Sequence, residues 1–356
     1  NLHSAGLHGV FLHVVTILTN SSSLAMCRHN NDCVASQVMS LETPEIKTGW
    51  LTLRRYRVIA WVAFASLYVI IITGSLVRLT GSGLGCIDWP ACNEERFVDV
   101  SSPHAAIEQV NRLFTGVVAA SVIAAMAAAF AVRPRSARLV RLAGLMVLGV
   151  VGQVVLGGIV VLTGLHPLSN LGHFLLSIVL MTWAFWLVRG IPAASNSAQE
   201  VSDWWLKLTS RHSWSLSKET RVAALARYVL TLTSIAIVTG TVVTGSGPHA
   251  GDELARRFDV ALTVAARIHS VSVIATVSAA VWLGVALWRE ARVHRHITAA
   301  WEIFLLLAIL QGGVGYWQYF TGVPIVLVAI HIAGSVAVWL AALNLVAQAQ
   351  VKAVAQ

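Results

Sequence analysis

AAIEQVNRLFTGVVAASVIAAMAAAFAV, residues 105–132, is long and apolar enough to cross a bilayer as a helix. Its first turns nevertheless carry Glu108, Gln109, Asn111 and Arg112. Ionisable groups inside a spanning helix are costly, which makes them functional candidates. Glu108 and Asn111 are three residues apart, and Glu108 and Arg112 four, so all three share one helix face. On the residues alone two readings stand open. One is a functional cluster within the span; the other is a Glu–Arg pair snorkelling to the headgroups.

Seven more apolar runs accompany this one, at roughly 56–79, 140–163, 169–189, 224–245, 261–288, 299–320 and 323–348. The 356 residues are 56% hydrophobic and only 12% charged, where a soluble domain has about 25%. Backbone groups in lipid must pair internally, so an all-α integral membrane protein with eight transmembrane helices is expected. Gly, Ala, Ser and Thr within the runs allow close helix packing.

The net charge of +9 is a topology signal rather than a nucleic-acid one. Arg54, Arg55 and Arg57 precede the first run, and Arg133, Arg135, Arg138 and Arg141 lie between the second and third. Arg289, Arg292 and Arg295 follow the sixth, and Lys352 follows the eighth. The alternate loops hold mainly Arg96, Arg256 and Arg257, offset by nearby acids. Basic loops stay inside, so both termini are expected in the cytoplasm of a multi-pass cell-membrane protein.

The chain divides accordingly. Residues 1–55 form an N-terminal tail, in which 1–38 read as an extension upstream of a natural start at Met39. Its apolar piece Gly9–Thr19 is too short to span; its His3, His8, His13, His29, Cys27 and Cys33 receive no role. Residues 56–189 make a first four-helix bundle and 224–349 a second, with 350–356 as a C-terminal tail. The polar linker 190–223 between them carries Trp204, Trp205 and Trp214, expected to rest at the membrane interface.

The two bundles repeat each other. VRLTGSG at 77–83 matches TVVTGSG at 241–247. Gln153 and Gln311 are 158 residues apart, as are Thr163 and Thr321, His173 and His331, and Asn111 and His269. Each bundle has an even number of helices, so the repeats are parallel and pseudo-symmetric rather than inverted. His269 and His331 lie early in the sixth and eighth runs. Two neutral imidazoles on neighbouring helices suit the two axial positions of one haem iron. A lone intramembrane histidine more often bonds a neighbouring helix; the matched pair, echoed in the first bundle, favours haem.

Cys86 and Cys92 lie in the loop TGSGLGCIDWPAC at 80–92. Outside the membrane such thiols can oxidise to a disulfide, with two free cysteines as the alternative. No C-x-x-C or C-x-x-C-H occurs, which leaves zinc, thioredoxin-like and covalent haem readings without their motifs.

That loop, E-x-x-N-R at Glu108–Arg112, TGLHPLSNLGH at 163–173, and His269 and His331 together resemble the haem A synthase family, over roughly residues 56–349. The resemblance implies two pseudo-symmetric four-helix bundles and an enzyme that oxidises the C8 methyl of haem O to a formyl group, with water as oxygen source. It implies a haem B cofactor in the second bundle, with His269 and His331 as axial ligands. It places the substrate haem in the first bundle, with His173 on the iron, Asn111 and Arg112 beside it, and Glu108 as the catalytic carboxylate. Cys86 and Cys92 match the family's paired loop cysteines. The commoner family pattern has histidine where Asn111 stands, so ligation of the substrate iron by His173 alone, with Asn111 holding a water, is the expectation. His104 is an alternative ligand nearly two turns away, and His166 a surface or propionate contact. Arg78 would bind a propionate or anchor the first helix at the interface. Haem O synthase and the terminal oxidase are the implied partners, alongside membrane lipid, with homo-oligomerisation left open. A di-haem electron-transfer protein without chemistry on haem, and a transporter, are the competing readings.

Overall fold

The computed structural model describes residues 51–133, 135–191, 221–289 and 295–350. The expectations for residues 1–38, for the three linker tryptophans and for the last six residues lie outside that set. The described chain is all-helical: α1 Leu53–Leu79, α2 Pro103–Ala131, α3 Ala137–Leu162, α4 Pro167–Arg189, α5 Arg221–Ser246, α6 Leu262–Arg289, α7 Arg295–Phe320 and α8 Ile325–Ala349. All eight are long and apolar enough to cross a membrane. They coincide with the eight apolar runs to within a few residues.

Local chemistry sets the ends. Ser102 caps α2, its hydroxyl accepting from the Ala105 N–H at 3.1 Å, and Pro103 follows as the first helical residue. Thr52 and Ser136 cap α1 and α3 in the same way. The turns after α3 and α7 are built alike. Gly164 and Leu165 have φ of +60° and +59°, and Gly322 and Val323 have +79° and +59°. Positive φ is uncommon for Leu and a genuine outlier for the β-branched Val. Its occurrence at matched places is a structural echo of the sequence repeat.

Helices α1–α4 pack in a ring, each touching the next and α4 returning to α1. Helices α5–α8 do the same. The first ring closes on Tyr56, Leu67, Val122, Met146 and Leu180; the second closes on Val229, Leu283, Phe304 and Leu345. The rings meet along α1, α4, α5 and α8. There the Tyr68 hydroxyl donates to Ala333 O at 3.1 Å, Trp339 Nε1 to Thr182 Oγ1 at 2.9 Å, and Arg189 Nη1 to Asn344 Oδ1 at 3.0 Å. In an apolar medium such bonds fix register where hydrophobic burial cannot. This arrangement is compatible with two pseudo-symmetric bundles.

Loops 80–102, 163–166, 247–261 and 321–324 lie together at one end of the helices, called the upper end below. They are stitched across the rings. The Gly83 N–H donates to Gly251 O at 2.9 Å. Leu165, buried, lies so close to both glycines that a Cβ on either would sit about 3 Å from its Cδ1.

Close packing in the second ring depends on Gly284. A Cβ there would collide with the Trp301 indole, whose Nε1 donates to Ala280 O at 2.7 Å. Gly284→Leu is expected to cost about 1–3 kcal/mol through overpacking. The measurement is the thermal midpoint of the detergent-solubilised protein. An unchanged midpoint would mean that Trp301 moves aside without penalty.

Candidate functional site

A cavity of about 1190 Å³ opens among the upper halves of the helices. Its wall includes Glu108, Asn111, Arg112, His173, His269 and His331, so the six residues singled out in the sequence are brought to one space. Most of the remaining wall is apolar, as ligand cavities usually are.

His269 on α6 and His331 on α8 face each other with ring centroids 6.4 Å apart and ring planes at 85°. An imidazole nitrogen lies about 2 Å from a bound first-row metal and about 1 Å from its own ring centre, so two rings flanking one metal have centres roughly 6 Å apart. Glycine on the neighbouring helix makes room for each ring. A Cβ on Gly240 would sit 3.0 Å from His269 Cε1, and one on Gly315 3.0 Å from His331 Cε1. The Thr239 hydroxyl lies 3.2 Å from His269 Nδ1, which leaves Nε2 as the nitrogen for a ligand. Gln311 Nε2 donates to the His331 backbone carbonyl at 2.5 Å and holds that turn of α8. His331 Nδ1 is buried without a hydrogen-bond partner.

The first ring repeats this frame with one change. His173 on α4 stands where His331 does. Gly157 faces it, a Cβ there lying 3.6 Å from Cε1, and Gln153 Nε2 donates to its carbonyl at 3.1 Å. Its Nδ1, like that of His331, is buried and unpartnered. Asn111 on α2 stands where His269 does, and the Thr73 hydroxyl donates to its Oδ1 at 2.8 Å. Thr73-Gly74 and Thr239-Gly240 are thus equivalent supports that the sequence comparison missed. Their separation of 166 residues differs from the 158 shared by the pairs of Gln153, Thr163, His173 and Asn111. The Asn111 amide nitrogen has no lone pair for a metal, so this end of the cavity presents one imidazole.

Which groups this wall could hold follows from the donor set. Among the described residues no three His, Cys, Asp or Glu side chains gather to hold a bare metal ion. A metal held by His269 and His331 would take its other ligands from outside the protein, and a haem supplies four of them together. The residues therefore fit a haem.

Glu108 and Arg112 form an ion pair, as their spacing implies, and its carboxylate end is buried. Glu108 is only 5% exposed. Its Oε1 accepts from Arg112 Nε at 3.0 Å and Nη2 at 2.6 Å, and its Oε2 accepts from the Cys86 N–H at 2.8 Å. Arg112 Nη1 donates to Asp88 O and Ala91 O, both at 3.1 Å. Cys86 and Cys92 are joined as a disulfide. The pair thus clasps the disulfide loop by its main chain. The clasped loop brings Trp89 and Pro90 to the cavity wall. Trp89 lies on Gly158 of α3, a Cβ there coming within 2.9 Å of the indole. Sequence spacing carried no signal for this clasp, because its partners are backbone atoms.

His104 and His166 sit elsewhere. His104 Nδ1 lies 2.9 Å from the Ser82 hydroxyl, and His166 caps α4 through Nδ1, accepting from the Leu168 N–H at 3.3 Å. Neither is on the cavity wall. Arg78 is, at the last turn of α1, with Nη2 donating to Thr244 O at 2.7 Å.

Over 71 residues the chain is 39% identical to "Heme A synthase" of Lysinibacillus sphaericus (strain C3-41), a stretch amounting to 19% of this chain and 23% of that relative. The chain is thus aligned with about a quarter of the relative's length. The model of the cytochrome oxidase assembly protein family COX15-CtaA matches residues 57–343, from the first helix to the last and across the whole cavity wall. With a match of that extent, the chain belongs to the cytochrome oxidase assembly protein family.

Proposed function

We propose that this chain is a haem A synthase, an oxidoreductase that converts the C8 methyl of haem O to a formyl group with water as oxygen source. The observation that carries the reading is one cavity whose wall holds a facing histidine pair from the second ring and a lone histidine and a buried carboxylate from the first. The family match and the named relative support it. Residues 56–189 would form the substrate half and 224–349 the cofactor half, joined by the linker 190–223. The arginine-rich lower loops favour both termini in the cytoplasm and the cavity toward the outer face. Haem O synthase and the terminal oxidase are the proposed partners on either side of the reaction.

His269 and His331 would hold haem B. When bound, haem B supplies one-electron redox chemistry between the substrate and an external acceptor. His173 would hold the substrate iron from one side. Turning a methyl and a water into a formyl group releases four electrons and four protons, so the substrate end must hold a proton acceptor.

Glu108 is the carboxylate on that wall. A carboxylate has about four acceptor sites. The Arg112 guanidinium and the Cys86 and Gly85 N–H groups share them, so Glu108 would take a proton from a water or the substrate by exchanging one of these bonds. Arg112 offsets the charge, which lowers the cost of keeping a carboxylate out of water. Asn111 would present its amide N–H groups to a water opposite His173.

The clasp on the disulfide loop gives Glu108 and Arg112 a structural task that requires no chemistry on haem. That observation favours a second reading, a di-haem electron-transfer protein. Pigment extracted from purified protein separates the two. Haem B together with haem O or haem A supports the synthase; haem B alone supports electron transfer.

Glu108→Gln is expected to keep haem B at wild-type stoichiometry and to lower haem A formation by about 10²–10⁴-fold, the usual contribution of a positioned proton acceptor. Thiol labelling should show Cys86 and Cys92 still joined. Wild-type yields of haem A would refute the role. In Asn111→His the substrate iron gains a second imidazole, so its absorption spectrum is expected to become that of a six-coordinate bis-histidine haem. An unchanged spectrum would mean that position 111 does not face the iron.

A further inference from the structure

The charges on the cavity wall do not balance. Among the described residues lining it, the formally charged side chains are Arg78, Glu108, Arg112 and Arg267. Glu108 and Arg112 neutralise each other. Arg78 and Arg267 remain, with no acid on the wall to meet them. Arg267 is exposed and has access to solvent. Arg78 is not so placed: its Nε is buried and has no hydrogen-bond partner. A guanidinium cannot shed its charge, and a buried donor left unpaired carries a full desolvation cost.

The position of Arg78 says which end of the cavity it serves. It belongs to α1 of the first ring, yet its Nη2 reaches Thr244 O on α5 of the second ring. Its Cγ would be 3.5 Å from a Cβ on Gly251, so the absence of a side chain there lets the arginine cross. Thr244 lies five residues above Thr239, the support of His269, or about 7.5 Å along α5. The carbonyl at the end of α5 offers partial negative charge and leaves the rest of the fork unmatched. A planar guanidinium with an open edge is suited to a carboxylate, which accepts two parallel N–H bonds.

We infer that Arg78 binds a carboxylate of the haem held by His269 and His331, so that the second-ring site is completed by a residue from the first ring. The inference rests on the two-histidine haem reading above. It makes the rings interdependent: helix α1 contributes to the ligand of α6 and α8.

Binding of haem B and of its dimethyl ester, which lacks the propionate charges, tests this in full-length protein. A His173→Ala background confines binding to the second ring. The parent is expected to favour the free acid over the ester by roughly 10- to 100-fold, the range for a charge-assisted hydrogen bond. Arg78→Gln should bring that preference close to one while binding the ester as the parent does. Arg78→Lys should recover part of it. A preference unchanged in Arg78→Gln overturns the inference, and so does loss of both forms together, which would assign Arg78 a purely structural role. Binding of neither form by the parent, or binding that survives His269→Ala, would instead remove the two-histidine reading itself.

Discussion

An imidazole sunk in an apolar bundle needs partners for its nitrogens and space for its ring, and the upper half of this molecule makes that space three times. Glycine supplies the space at Gly157, Gly240 and Gly315. Glutamine fixes the backbone turn that carries the ring at His173 and His331. Threonine occupies one nitrogen of His269. The supports leave Nδ1 of His173 and of His331 buried without a partner, and an unsatisfied nitrogen in such a medium is costly. The chain belongs to the cytochrome oxidase assembly protein family, and the donor set fits a haem.

The Glu108–Arg112 pair shows how one local motif can serve two ends. Toward the loop it is a clasp, joined to main-chain atoms of Cys86, Asp88 and Ala91. Toward the cavity it is part of the wall. Both tasks need the same thing, a charged pair kept out of water at a fixed place, and the cost of burying it is offset by the bonds the loop provides.

Much of this was legible in the chain itself. Eight apolar runs give eight helices because runs of that length satisfy their backbone groups in lipid as helices, where barrel strands would be half as long. The spacing of His173 and His331, and of Asn111 and His269, indicated the repeat because the helices between them keep their lengths. Thr73 and Thr239 escaped notice because the segments between each threonine and its partner on the next helix differ in length in the two halves. Glu108's bond to Cys86 was invisible because one partner is a backbone N–H. Arg78 was legible as an outer-end cation. Its crossing to Thr244 is a product of how the rings pack, which no local pattern encodes. Leu165 and Val323 are the remaining surprise, since nothing in their chemistry announces a left-handed backbone.

The clasp has a consequence for how this loop can change over time. Arg112 grips carbonyl oxygens, which every residue has, so positions 88 and 91 can accept substitution without loosening the grip. The demand falls on loop length and ring closure, which set where those carbonyls stand. A loop held in this manner can vary the face it turns to other proteins while the carboxylate beneath it stays where it is.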